Sequence, residues 1–130
     1  MRFAILHHTG SATQASHYDL LFQTAEGAGD DDRVLESYST LKDEFPGCSG
    51  PVRVKAIAPH RRIYLQYEGP LGGARGEVTR ADGGEYTLET PAEGLRRLKL
   101  SGRRLQGAFI LRRGADGAWI FERDEGRAHG

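Results

Sequence analysis

The sequence predicts an all-β fold, a compact antiparallel β-barrel with short loops and little helix. Three observations carry the prediction. The 130 residues include 18 glycines, and turn signals recur roughly every eight to twelve residues, the spacing of short strands joined by hairpins. Apolar and basic residues alternate in Val52-Arg53-Val54-Lys55-Ala56-Ile57 and in Leu98-Lys99-Leu100, the period-two pattern of strands with one buried and one wet face. Asp82-Gly83-Gly84 and Gly114-Ala115-Asp116-Gly117 supply the positive-φ positions that tight hairpins need. An antiparallel sheet built this way has open edges, and closure into a barrel removes them.

The candidate strands, in order, are residues 2–8, 17–23, 33–40, 52–58, 63–68, 76–80, 85–89, 96–100, 106–113 and 118–123. The first holds the apolar run Phe3-Ala4-Ile5-Leu6 and ends on His7-His8; the second opens on His17-Tyr18-Asp19. Residues 24–32, with Gly27, Gly29 and the run Asp30-Asp31-Asp32, form an exposed loop. Three adjacent aspartates lack the alternating ligand spacing of a calcium loop, so they read as solvated. A second loop, residues 43–51, carries Pro46, Gly47, Gly50 and Pro51. Residues 1–123 make one barrel domain, and residues 124–130 a flexible tail.

Composition excludes several classes. Lys+Arg and Asp+Glu number 18 each, so no global field draws in nucleic acid or anionic membrane, and such a partner needs a local patch. Cys48 is the single cysteine, which rules out an intrachain disulfide and a cysteine-based zinc finger; flanked by Gly47 and Ser49, it reads as a bystander thiol. The run Phe3 to Leu6 is far shorter than a membrane span. A cytoplasmic setting without membrane contact is expected.

Chemistry concentrates at His17-Tyr18-Asp19. Residues two apart on a strand share a face, with side-chain origins roughly 6 to 7 Å apart, so His17 and Asp19 can share one ligand. If the strand ending at His7-His8 pairs alongside, either histidine can bring a third donor. Two imidazoles and a carboxylate suit a divalent metal with open positions. The second dense cluster is Pro59-His60-Arg61-Arg62-Ile63-Tyr64. His60 and Tyr64 lie about 13 Å apart on a strand but near contact in one helical turn, so their convergence requires a bend near Pro59. The arginine pairs at 61–62, 96–97, 103–104 and 112–113 read mostly as surface partners of the acidic residues. Residues 69–76, Gly-Pro-Leu-Gly-Gly-Ala-Arg-Gly, lack the lysine and following helix of a phosphate-binding loop.

Taken together, these segments resemble the 3′-phosphoesterase domain of the bacterial DNA ligase D family and its small stand-alone relatives. The likeness rests on Phe3-Ala4-Ile5-Leu6-His7-His8 leading to His17-Tyr18-Asp19-Leu20-Leu21, then Ser37-Tyr38-Ser39-Thr40-Leu41-Lys42. It continues through His60, Tyr64 and Tyr67-Glu68-Gly69 at matching spacing to the closing segments 98–111 and Trp119-Ile120-Phe121. The resemblance implies a β-barrel that holds a manganese-type or other divalent ion with His8, His17 and Asp19, the strand-terminal position favouring His8 over His7. It further implies that His60, Tyr64 and Lys42 address the phosphate. The implied activity trims nucleic-acid 3′ ends, DNA or RNA-terminated DNA, by removing a terminal ribonucleoside and the 3′-phosphate; ligase or polymerase repair proteins are the implied partners. Leu21 and Thr9 stand where the family carries an arginine and an acidic residue, so the metal set is better matched than the phosphate contacts.

Two rival readings differ in class. His17-x-Asp19 with a distant His60 also resembles the two-His-one-carboxylate triad of iron oxygenases, which would require His60 in place of His8. A barrel that binds DNA ends or a partner protein without turnover is the other.

Overall fold

The computed structural model describes residues 1–47 and 50–124; Cys48 and the tail beyond Asp124 lie outside them. Among the described residues the chain forms β1 (Arg2–Thr9), β2 (His17–Gln23), β3 (Leu35–Thr40), β4 (Val52–His60), a 3₁₀ turn (Arg62–Leu65), β5 (Gly69–Pro70), β6 (Glu77–Ala92), β7 (Leu95–Ser101), β8 (Gln106–Arg113) and β9 (Trp119–Arg123). All pair antiparallel in one sheet, in the order β1-β2-β3-β4-β9-β8-β7-β6-β5, and β6 also pairs with β1. The ring of hydrogen bonds is therefore closed, and only β5 hangs on its outside. The all-β, barrel-like architecture expected from the turn spacing is what forms. No helix of the described residues is long and apolar enough to cross a membrane.

Two local expectations are corrected. Residues 63–68 are not a strand. The Arg62 and Ile63 amides donate to the carbonyls of Asp32 and Asp30, and Tyr64 N–H to Arg61 O, so the 30–32 backbone supplies acceptors that a strand partner would otherwise give. Asp82-Gly83-Gly84 is not a turn either, because it lies inside the continuous β6. Its residues serve close approach: a Cβ at Gly84 would collide with the Ser101 carbonyl, and one at Gly102 would come within 2.6 Å of Asp82 Oδ2 and 2.8 Å of Phe3 Cζ. The Gly114–Gly117 hairpin does form, with Gly114 N–H on Ala118 O at 2.7 Å and Gly117 at φ +85°.

The closed sheet has two apolar faces. Inside, Phe3, Ile5, Leu20, Phe22, Tyr38, Leu111 and Phe121 belong to one buried cluster. Alternation sends their neighbours outward, and Ala4, Leu6, Leu21, Leu35 and Val78 form a second buried cluster with Leu65, flanked by Tyr64, Tyr67 and Leu71. The segment from the 3₁₀ turn to residue 71 thus covers the outer face of the β1-β2-β3 wall. That covered outer face, rather than the barrel interior, carries the candidate site.

Candidate metal centre

Strand register brings the first three donors together. His8 lies directly opposite His17, and Leu6 opposite Asp19, so His8, His17 and Asp19 point to one face. Their donor atoms lie within 4.8 Å of one another, the single such group of three among the described residues. The His8 and His17 rings meet edge to face with centroids 4.8 Å apart. His7 points to the other face, where it stacks on Tyr18 and bonds Asp43 at 2.8 Å.

Each imidazole is held by a backbone carbonyl. His17 Nδ1 donates to Ala15 O at 2.8 Å and His8 Nε2 to Arg75 O at 2.6 Å. Those bonds leave His17 Nε2 and His8 Nδ1 as the donor atoms, a tautomer arrangement typical of metal-ligating histidines. Asp19 is only 4% exposed; its Oδ1 accepts Ser39 Oγ at 2.6 Å and lies 3.3 Å from His17 Nε2. Burial pushes the Asp19 carboxyl up, but hydrogen bonds from His17 and Ser39 outweigh it and hold the group below its ordinary value. His17 is raised, first by its hydrogen bond to Asp19, against the opposing effect of burial. The donor set of two imidazoles and one ionised carboxylate fits a divalent ion.

His60 reaches the same wall through a bulge. Ser37 pairs with Ile57 while Leu35 pairs with His60, so β4 carries one extra residue at Ala58-Pro59. The extra residue restores His60 to the outward face. Its Nδ1 donates to Ala58 O at 3.2 Å, and burial lowers its pKa, partly opposed by Asp19. The 3₁₀ turn that follows sets the Tyr64 ring edge-on to His60 at 5.7 Å, the near contact that four-residue spacing gives in a helical turn.

Two cavities of about 450 and 520 Å³ meet at His8, Asp19 and His60. Tyr64 lines the first; His17, Ser39 and Lys55 line the second. Lys42 lines neither. It is exposed in the turn after β3, where its carbonyl accepts Thr40 Oγ1 at 2.7 Å. A lysine on β4, Lys55, does line the second cavity, because Asp19, Ser39 and Lys55 lie opposite one another across β2, β3 and β4. Its signal was the alternation of 52–57, which marks Lys55 as outward but cannot say which strand lies beside it.

The glycine-rich stretch 69–76 also has a defined job. Gly76, at φ +81°, packs so closely on β1 that a Cβ would strike the Thr9 carbonyl and approach Ser11 N within 2.7 Å. Ala12 N–H bonds Ala74 O at 2.8 Å, and these contacts aim the Arg75 carbonyl at His8. No protein-family model matches the sequence, and no curated protein matches it.

Proposed function

We propose that the chain is a divalent-metal-dependent phosphoesterase that removes a 3′-phosphate or a terminal ribonucleoside from nucleic-acid 3′ ends. One observation carries the reading: His8, His17 and Asp19 present converging donors, each imidazole is oriented by a carbonyl, and His60 opens onto the same space. Likeness to the ligase D phosphoesterase domain agrees with it. A manganese-type ion, when bound, polarises a phosphoryl oxygen and acidifies water. In the hydrolysis of a 3′-phosphate, water oxygen bonds phosphorus, the P–O3′ bond breaks, and the departing 3′ oxygen takes its proton from solvent water. His60 has its Nδ1 hydrogen on Ala58 O and is kept neutral by burial, so Nε2 is free to take a proton from the attacking water. Lys55 offsets charge on the phosphoryl oxygens, with Tyr64 holding His60 from the side. The expected setting is cytoplasmic, beside ligase or polymerase repair proteins.

Protein given a 3′-phosphorylated primer-template and manganese should release inorganic phosphate, and Asp19→Ala should not. Failure of the wild type with several divalent metals and end structures would sink the proposal. The oxygenase alternative is disfavoured because His8, not His60, completes the set with His17 and Asp19.

A further inference from the structure

The two cavities that meet at the metal set differ in charge. On one side Arg33, Arg61 and Arg75 line the wall beside Tyr64; on the other, Lys55 is the cation, beside Ser39. Two of these arginines are held by backbone carbonyls rather than by carboxylates, as Arg80 and Arg123 are elsewhere in the chain. Arg53, Arg96 and Arg112 each pair with a carboxylate at 3.0 Å or less, the ordinary fate of a surface guanidinium. Arg33 instead donates to Pro59 O at 3.2 Å, and Arg75 to the carbonyls of Leu71 and Gly72. Neither has a carboxylate partner within 4.0 Å among the described residues. Carbonyl anchors orient a guanidinium without cancelling its charge. Among the described residues the one carboxylate partner of Arg61 is the highly exposed Asp31, at 3.2 Å; its guanidinium also donates to the Tyr64 hydroxyl at 3.3 Å and lies 5.5 Å from that ring's centroid.

We infer that the arginine-lined cavity is the subsite for the polynucleotide strand, and that the Lys55 cavity receives the terminal group to be released. A strand carries one negative charge per phosphate and exposes base faces, so it needs several cations and an aromatic edge; a single terminal phosphate or nucleoside needs fewer. The inference rests on the phosphoesterase reading and fixes the direction in which such a substrate lies across the site.

The test measures binding of a short fluorescein-labelled DNA strand ending in a 3′-hydroxyl, by anisotropy over a salt series, beside phosphate release from the 3′-phosphorylated strand with manganese. Arg33→Gln and Arg75→Gln should each weaken strand binding by about tenfold, the scale of one charged hydrogen bond. Each should also flatten the slope of log affinity against log salt by about 0.7. Arg33→Lys and Arg75→Lys should keep most of that slope, which separates lost charge from misfolding. Lys55→Gln should instead weaken inhibition by inorganic phosphate. Wild-type affinity and slope in the glutamine variants would overturn the inference while phosphate release by the wild type leaves the activity standing. A wild type that binds no strand overturns it as well. Strand binding lost in the glutamine variants of a protein that releases no phosphate supports the subsite and rejects the activity.

Discussion

At the scale of single residues, Ser39 shows how a neutral group can tune a charged one. Its hydroxyl donates to Asp19 Oδ1 at 2.6 Å in a nearly closed environment, and a buried carboxylate deprived of a donor is costly to keep ionised. Ser39→Ala should raise the Asp19 pKa and weaken manganese affinity by about tenfold, measured by isothermal titration calorimetry. The His17–Asp19 pair gives a second outcome. His17 is raised from 6.5, so its contribution to stability is present below that value and fades as pH rises through its higher folded value. Asp19 is lowered from 3.8, so its contribution is present above that value and fades as pH falls through its folded value. Metal-free protein should therefore show, by NMR titration, His17 above and His60 below an ordinary histidine. Manganese affinity should climb as pH rises through the His17 value, because the ion takes the place of its Nε2 proton. The period-two spacing of His17 and Asp19 was legible from the chain alone. Ser39 and Lys55 were not, since their place beside Asp19 is set by register across three strands.

At the scale of elements, a bulge and a loop do what the local pattern could not announce. Pro59 marked a bend, and the extra residue in β4 is the form that bend takes. The run 63–68 looked extended because Tyr64 and Tyr67 favour strands, yet the backbone of residues 30–32 offers acceptors that hold a 3₁₀ turn. The loop before β6 was readable as glycine-rich, and its purpose was not, because that lies in the distance from Gly76 to β1. Gly76→Ala should be strained by its φ of +81° and by the Thr9 carbonyl, a backbone cost on the order of 1–3 kcal/mol. Displacing the loop also frees His8 from the Arg75 carbonyl. Manganese affinity should fall about 10- to 100-fold, with melting temperature lowered in the same variant. A variant that melts lower but binds manganese as tightly would show that the loop supports the fold and not the ligand.

At the scale of the whole molecule, the side chain that secures ring closure and the candidate donor set lie on opposite faces of the sheet, and this separates their energetics. Alternation and turn spacing made the closed sheet legible, whereas the strand at which β6 leaves β1 for β7 depends on a buried carboxylate. Asp82, 4% exposed, accepts the amides of Gly83, Arg103, Arg104 and Leu105 at 2.8 to 3.2 Å, so it ties β6 to the turn between β7 and β8. It pairs in register with inward-facing Ile5, away from the outward His8, His17 and Asp19. Asp82→Ala leaves these amides without their acceptor, and the unsatisfied buried ones should cost about 3 kcal/mol. Manganese should stabilise the wild type by about 2.7 kcal/mol at a free concentration one hundred times its dissociation constant. The same increment should survive in Asp82→Ala, from a lower starting temperature, and vanish in Asp19→Ala. Calorimetric melts of the three proteins with and without manganese read both effects. If Asp82→Ala also loses the manganese increment, closure of the ring and assembly of the donor set are one cooperative event rather than two separable ones.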